Sequence, residues 1–128
     1  MAKTSTQTAV VTSATNTAGS TTRGRLDCSA ADGGHVTFRI TNGGTGPTVQ
    51  CEARVMVSHA TTLPTAAAEG TADNDWKQVA VIGGGTTASA STRGRFVFGP
   101  EVRHVQIEFT GNTGQSVTVE AQATTYAY

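Results

Sequence analysis

The sequence is poor in charge. Nine Lys and Arg balance nine Asp and Glu over 128 residues, a formal net charge of zero. A general nucleic-acid binder needs a basic face to displace the counterions of phosphate, so that class is excluded. An acidic solvating tail is excluded as well. Aromatic residues make up only 5%. No run of about 18 apolar residues occurs, so no membrane-spanning helix is expected. The opening residues 1–6 lack the apolar stretch of a secretory signal, which predicts synthesis in a cytoplasm. The two cysteines, Cys28 and Cys51, form neither a CxxC nor a zinc-ligand spacing. There is no Walker loop, dinucleotide fingerprint or Ser/His/Asp arrangement. Gly83-Gly84-Gly85 is not followed by GK[ST] and reads as a turn. No enzyme, cofactor or metal is expected.

What the chain does have is Thr, Ala, Gly and Val. Thr and Val favour strands, and the 15 glycines punctuate the chain at intervals that suit an all-β domain. A chain of this length forms one domain, 1–128, and can bury its own core.

The strongest pattern is an internal repeat. "TRGR" occurs at 22–25 and again at 92–95. The first copy leads to His35-Val36-Thr37-Phe38-Arg39-Ile40-Thr41, the second to His104-Val105-Gln106-Ile107-Glu108-Phe109-Thr110. Then Thr48-Val49-Gln50-Cys51-Glu52-Ala53 matches Ser116-Val117-Thr118-Val119-Glu120-Ala121. The offset drifts from 70 to 68 residues, with the slippage in turns. Ordered matches of this kind identify a duplication. The halves span about 7–57 and 76–124, joined by a loop at 58–75.

Each half reads as four strands: 7–13, 22–29, 34–41 and 48–57, then 76–82, 88–98, 102–110 and 116–124. Alternation sets Val36, Phe38 and Ile40 inward, and Val105, Ile107 and Phe109 likewise. Val49, Cys51, Ala53 and Val55 match Val117, Val119, Ala121 and Ala123 as inward sets. One wet face per strand implies antiparallel pairing. The expectation is an all-β, eight-stranded antiparallel sandwich of jelly-roll type, built from two sequence-related halves.

Cys28 and Cys51 fall on the inward phase and read as buried apolar thiols. A bridge between them would need Cβ atoms within about 4.5 Å. His35 and His104 share a repeat position on the polar phase and are expected to be exposed. Glu52 and Glu120, also repeat-equivalent, face outward and suit pairing with cross-strand neighbours. In TRGR, Arg23 and Arg25 share one face, as do Arg93 and Arg95. Two readings stand. The arginines grip carboxylates on a partner or a sister subunit, or they guard an edge strand against open-ended pairing. The loop 58–75 lacks alternation and is long enough to be functional or disordered. An N-terminal arm at 1–6 and the tail Tyr126-Ala127-Tyr128 are expected to be free to lie on a neighbour. Trp76, at the loop exit, is a core plug or an interface anchor. The candidate partner-interface residues are therefore Arg23, Arg25, Arg93, Arg95, Trp76, Tyr126 and Tyr128.

The stretch "DWKQVAVIGGGTTASASTRGRFVFGPEVRHVQIEFTGNTGQSVTVEAQ" resembles small jelly-roll cement (decoration) proteins on the capsids of tailed bacteriophages. The resemblance covers the second half by style and the first half through the repeat. It implies a structural virion protein on the capsid surface, made in the host cytoplasm. Its partners would be the major capsid protein and itself, as homodimer or homotrimer, with no nucleic acid and no membrane. It carries no residue-by-residue roles. The run Val102-Arg103-His104-Val105-Gln106-Ile107 also resembles the penultimate strand of discoidin-like modules, which implies a carbohydrate-binding jelly roll. Scarce aromatics speak against stacking on sugars. A phage tail or baseplate structural protein shares the same style.

Overall fold

Where branched apolar and polar residues alternate, the chain runs extended. The computed structural model describes residues 2–128, and Met1 lies outside the described residues. Eight strands follow one another: β1 (Thr4–Asn16), β2 (Thr22–Asp27), β3 (Gly33–Asn42), β4 (Glu52–Ser58), β5 (Lys77–Gly83), β6 (Ser91–Phe98), β7 (His104–Thr110) and β8 (Val117–Ala127). They form two four-stranded sheets, a first of order β1-β8-β3-β6 and a second of order β2-β7-β4-β5. Every pairing is antiparallel. The expected eight-stranded sandwich is the fold.

The repeat has a structural meaning. Exchanging β1 with β5, β2 with β6, β3 with β7 and β4 with β8 turns the order of the first sheet into that of the second, read backwards. Residue registers follow the exchange where TRGR pairs. Gly24 lies opposite Ile107, and Gly94 lies opposite Phe38. Each half therefore contributes two strands to each sheet, and neither half can bury its apolar face alone.

The core lies between the sheets. Val36, Phe38 and Ile40 of β3 meet Val105, Ile107 and Phe109 of β7, all at most 4% exposed. Cys28 and Cys51 join this core as free thiols. Burial pushes them up to about 12 and about 11 respectively, which makes them poor nucleophiles.

Three expectations about the chain are corrected. Val49 is not inward: it is 52% exposed, and β4 begins only at Glu52. After Pro47, residues 48–50 lie outside the named strands, with one isolated bridge from Val49 to Thr113 and the Gln50 side chain accepting from the Gly85 amide at 3.0 Å. The expected arm at 1–6 is instead strand from Thr4 onward, with Thr4, Ser5 and Thr6 opposite Ala127, Tyr126 and Thr125. The tail is held by the same ladder and by the Tyr128 amide, which donates to Asp32 Oδ2 at 2.7 Å. Main-chain pairing decides these ends, whose Thr-rich sequence carries little apolar signal.

The third concerns the loop between β4 and β5, for which the sequence leaves function or disorder open: it is ordered. It packs across the outer face of the second sheet. Gln106 holds it at two points, donating to the Ala67 carbonyl at 2.7 Å and accepting from the Ala67 amide at 3.1 Å. Ser58 Oγ donates to the Asn74 carbonyl, and Lys77 Nζ to the carbonyls of Gly70 and Ala72. Trp76 and Met56 are buried beneath this cover at 2% and 1% exposure. His104, expected to be exposed, is fully buried there, its Nε2 bonded to the Ala60 carbonyl at 2.9 Å. As a result β7 is buried on both faces, while its repeat partner β3 keeps a wet outer face.

Candidate interaction surface

The two Arg-Gly-Arg strands, β2 and β6, are both sheet edges. Strand alternation aims the arginines outward and the glycine inward. That inward position has no room for a side chain. A Cβ on Gly24 would collide with the Val10 carbonyl of β1, and one on Gly94 with Ile82 and Phe38. Glycine here lets the edge strand close onto the opposite layer. The arginines are thereby fixed in place by the core beneath them.

On the second sheet the arginines are consumed within the chain. Arg23 Nε donates to Glu108 Oε2 at 2.6 Å. Glu108 is 3% exposed, and its other oxygen lies 3.7 Å from Arg54 Nη1. Arg54 also binds Glu52 at 2.8 Å, and this bond is the main cause of its raised affinity for its proton. Arg25 donates to the Pro64 carbonyl of the covering loop at 2.7 Å. Next along this face, Asp27 accepts from the Ser29 hydroxyl and amide at 2.6 and 2.9 Å. These bonds, with a smaller contribution from His104, hold its carboxyl below the usual value despite some burial. His104 Nδ1 sits 3.4 Å from Asp27 Oδ1 and makes no hydrogen bond.

On the first sheet the same positions are used differently. Arg93 lies opposite Arg39, and Arg95 opposite Thr37. The repeat places Arg39 where the second sheet has Glu108. Arg39 turns the other way, to Glu120 on β8 at 2.7 Å. Among the described residues, no carboxylate lies within ion-pair distance of Arg93 or Arg95. Thr37, Arg39, Arg93, Arg95, Glu120 and Gln122 line an open cleft of about 650 Å³. Three guanidinium groups against one carboxylate leave this cleft with an excess of two positive charges.

The structure thus separates the candidate residues. Arg93 and Arg95 come together with Arg39 on an open face. Arg23 and Arg25 are engaged internally on the opposite side. Trp76 is sealed beneath the loop, its Nε1 donating to the Thr65 carbonyl at 3.0 Å, so it presents no exposed anchor. Tyr126 is half-buried against Gly33, with Lys3 Nζ 5.8 Å from its ring centre. Tyr128 is 65% exposed and packs edge-on against Tyr126. Arg39 was missed as a site residue, although the repeat alignment carried the signal: a charge of opposite sign stands at its counterpart. Among the described residues, no group of three His, Cys, Asp or Glu converges on a metal-sized space.

No family model matches this sequence, and no curated protein matches it. Solved structures do resemble the fold. The K3 cleaved adhesin domain of Lys-gingipain from Porphyromonas gingivalis aligns with a TM-score of 0.52 and 12% identity, over 80% of this chain and 63% of that one. A chain of infectious bursal disease virus, Gx strain, aligns with a TM-score of 0.52 and 11% identity, over 97% of this chain and 32% of that one. A chain of Bacillus endospore appendages, a family of disulfide-linked pili, aligns with a TM-score of 0.50 and 16% identity, over 99% and 91%. The chain therefore spans under two thirds of the first and about a third of the second. What all three share with it is the β-sandwich.

Proposed function

We propose that this chain is a structural virion protein, a cement or decoration protein of a tailed-bacteriophage capsid. In this role it binds the outside of the major capsid protein lattice and stabilises the head. The observation that carries the reading is the division of the sandwich into a face closed by its own loop and a face left open with excess charge. Such a body suits one-sided attachment to a surface. The likeness of the fold to a virus chain over 97% of this sequence supports the same reading. The mechanism is mechanical and non-catalytic. A rigid sandwich spans neighbouring subunits, and many copies on one lattice bind with avidity although each contact is weak. Self-association into a symmetric dimer or trimer at a local symmetry axis belongs to the same proposal.

The test is reconstitution on capsids that lack the chain. Purified protein should co-sediment with them and raise the temperature at which they rupture and release DNA. Cryo-electron microscopy of the particle should show its density on the shell. Density on the tail or baseplate would overturn the capsid assignment, and absence of density from the particle would overturn the virion reading altogether.

A further inference from the structure

We infer that the outer face of the first sheet docks a carboxylate-bearing segment of a protein partner, held by Arg39, Arg93 and Arg95. Naming that partner as the capsid lattice rests on the function proposed above; the docking site itself does not.

Like charges directly opposite on neighbouring strands destabilise a sheet. Arg93 faces Arg39 across the β3–β6 pair, and Glu120 is the only carboxylate lining the cleft. A carboxylate entering the cleft would remove that repulsion, and a guanidinium presents a planar fork suited to receive it.

The second sheet carries the same Arg-Gly-Arg strand in its occupied form. There the first arginine meets a carboxylate, Glu108, and the second meets a main-chain carbonyl of the covering loop, Pro64. The first sheet has the equivalent arginines at the equivalent register and supplies neither partner. The sister face thus shows the chemistry of the missing occupant: one carboxylate against Arg93, and a main-chain carbonyl that reaches Arg95. Thr37 and Gln122 stand beside them as neutral groups able to bond main-chain amides.

The charge balance favours protein over nucleic acid. A phosphate backbone is held by a basic stripe that tracks it. This face offers a local excess of two charges beside an acidic residue, on a chain of zero net charge. One or two carboxylates match that; a polyphosphate does not.

The test is a titration of the isotope-labelled full chain with hexaglutamate, followed by amide NMR. Saturable shifts should be confined to Thr37, Arg39, Arg93 to Arg95, Glu120 and Gln122, and should weaken as salt is raised. R93E and R95E should each weaken binding about tenfold or more. R103E makes the same charge change in the exposed β6–β7 connection and should leave binding unchanged. R93Q and R95Q replace the guanidinium with a neutral polar amide, without reversing the charge, and should reproduce the loss; the dispersion of the same spectra reports that the variants are folded. Shifts elsewhere, equal weakening by R103E, or preference for a duplex DNA or heparin fragment over hexaglutamate would overturn the inference. A capsid arm separates the two readings. If wild type decorates capsids and the R93E/R95E double variant decorates them equally, the docking assignment falls while the proposed function stands. If hexaglutamate fills the cleft and wild type ignores capsids, the function falls and the docking site stands.

Discussion

Arg23 and Arg93 occupy the same place in the two repeats, yet their removal should have very different consequences. In Arg23→Ala, Glu108, only 3% exposed beneath Arg23 in the folded protein, loses its 2.6 Å partner. The remaining cation, Arg54, is 3.7 Å away, beyond good hydrogen-bond distance. A hydrogen bond to a charged group contributes about 1.5–3 kcal/mol, and stranding a buried acceptor costs a similar amount. Arg23 is itself 30% exposed, so its removal opens a path for water to the carboxylate. The net loss should be about 2–3 kcal/mol. Arg93→Ala removes an exposed cation that faces Arg39, with no acid to strand. Its effect should stay within about 0.5 kcal/mol, as for ordinary surface changes. For a domain of this size, 1 kcal/mol moves Tm by roughly 3–5 °C, so the two variants should melt about 6–15 °C apart. Urea unfolding followed by circular dichroism gives the same comparison and checks that m is unchanged. Equal losses in both variants, or losses under about 0.5 kcal/mol in both, would refute the claim that one copy of the motif is spent internally and the other is free.

The covering loop gives a second prediction. Trp76→Ala should cost about 3–5 kcal/mol by removing the plug beneath it, whereas Trp76→Phe, which loses the bond to Thr65 and part of the buried ring, should cost less, about 1–3 kcal/mol, both read by urea unfolding. The thiols give a third. At pH 8 neither Cys28 nor Cys51 should react with a thiol reagent in the native protein, and both should react in urea; rapid native labelling would contradict their burial. Asp27 gives a fourth, in acid. Its folded pKa is depressed, so its contribution is present above the unfolded value, about 3.9, and is lost as pH falls through the folded value. Asp27→Asn should therefore be less stable than wild type at neutral pH and flatten the acid limb of a melting-temperature curve below about pH 4. An unchanged acid limb would show that Asp27 does not titrate with folding.

The strands were legible wherever one face is wet. Val36, Phe38 and Ile40 alternate with His35, Thr37 and Arg39, and the pattern alone fixes both the element and its inward side. The same logic misplaced His104, because its alternation is real but its outer face is roofed by a segment some 40 residues earlier in the chain. Periodicity reports which way a side chain points and is silent about what lies over it. Val49 failed for a local reason: the alternation of 49–55 was extended across a stretch that leaves the ladder after Pro47. Residues 4–6 were read as an arm because an edge strand of Thr and Ser has little apolar contrast. Their order comes from main-chain bonds to β8, which no side-chain pattern encodes. Three buried asparagines were invisible for a similar reason. Asn112 ties down the β1–β2 turn through Asn16, and Asn42 ties down the β5–β6 turn through the carbonyls of Gly84, Gly85 and Thr87. A turn anchored from the far end of another strand leaves no local trace.

The site was half legible, and the half that was missed lies where the duplication departs from itself. A symmetric sandwich would present two like faces. If both were sticky, each molecule could bridge two partners, and head-to-tail contacts that do not close grow into filaments. Two substitutions of role prevent this here. The repeat position that is Arg39 on one face is Glu108 on the other, which turns an excess of positive charge into an internal ion pair. The loop between the halves then roofs the neutralised face, with Arg25 as one of its fasteners. The repeat should therefore be read for its mismatches as much as for its matches. Conserving TRGR in both halves keeps the edge strands packed through Gly24 and Gly94, while inverting the residue opposite the first arginine leaves one face able to bind. On the proposed role this asymmetry is a requirement, because a one-faced protein coats a shell without cross-linking shells to each other.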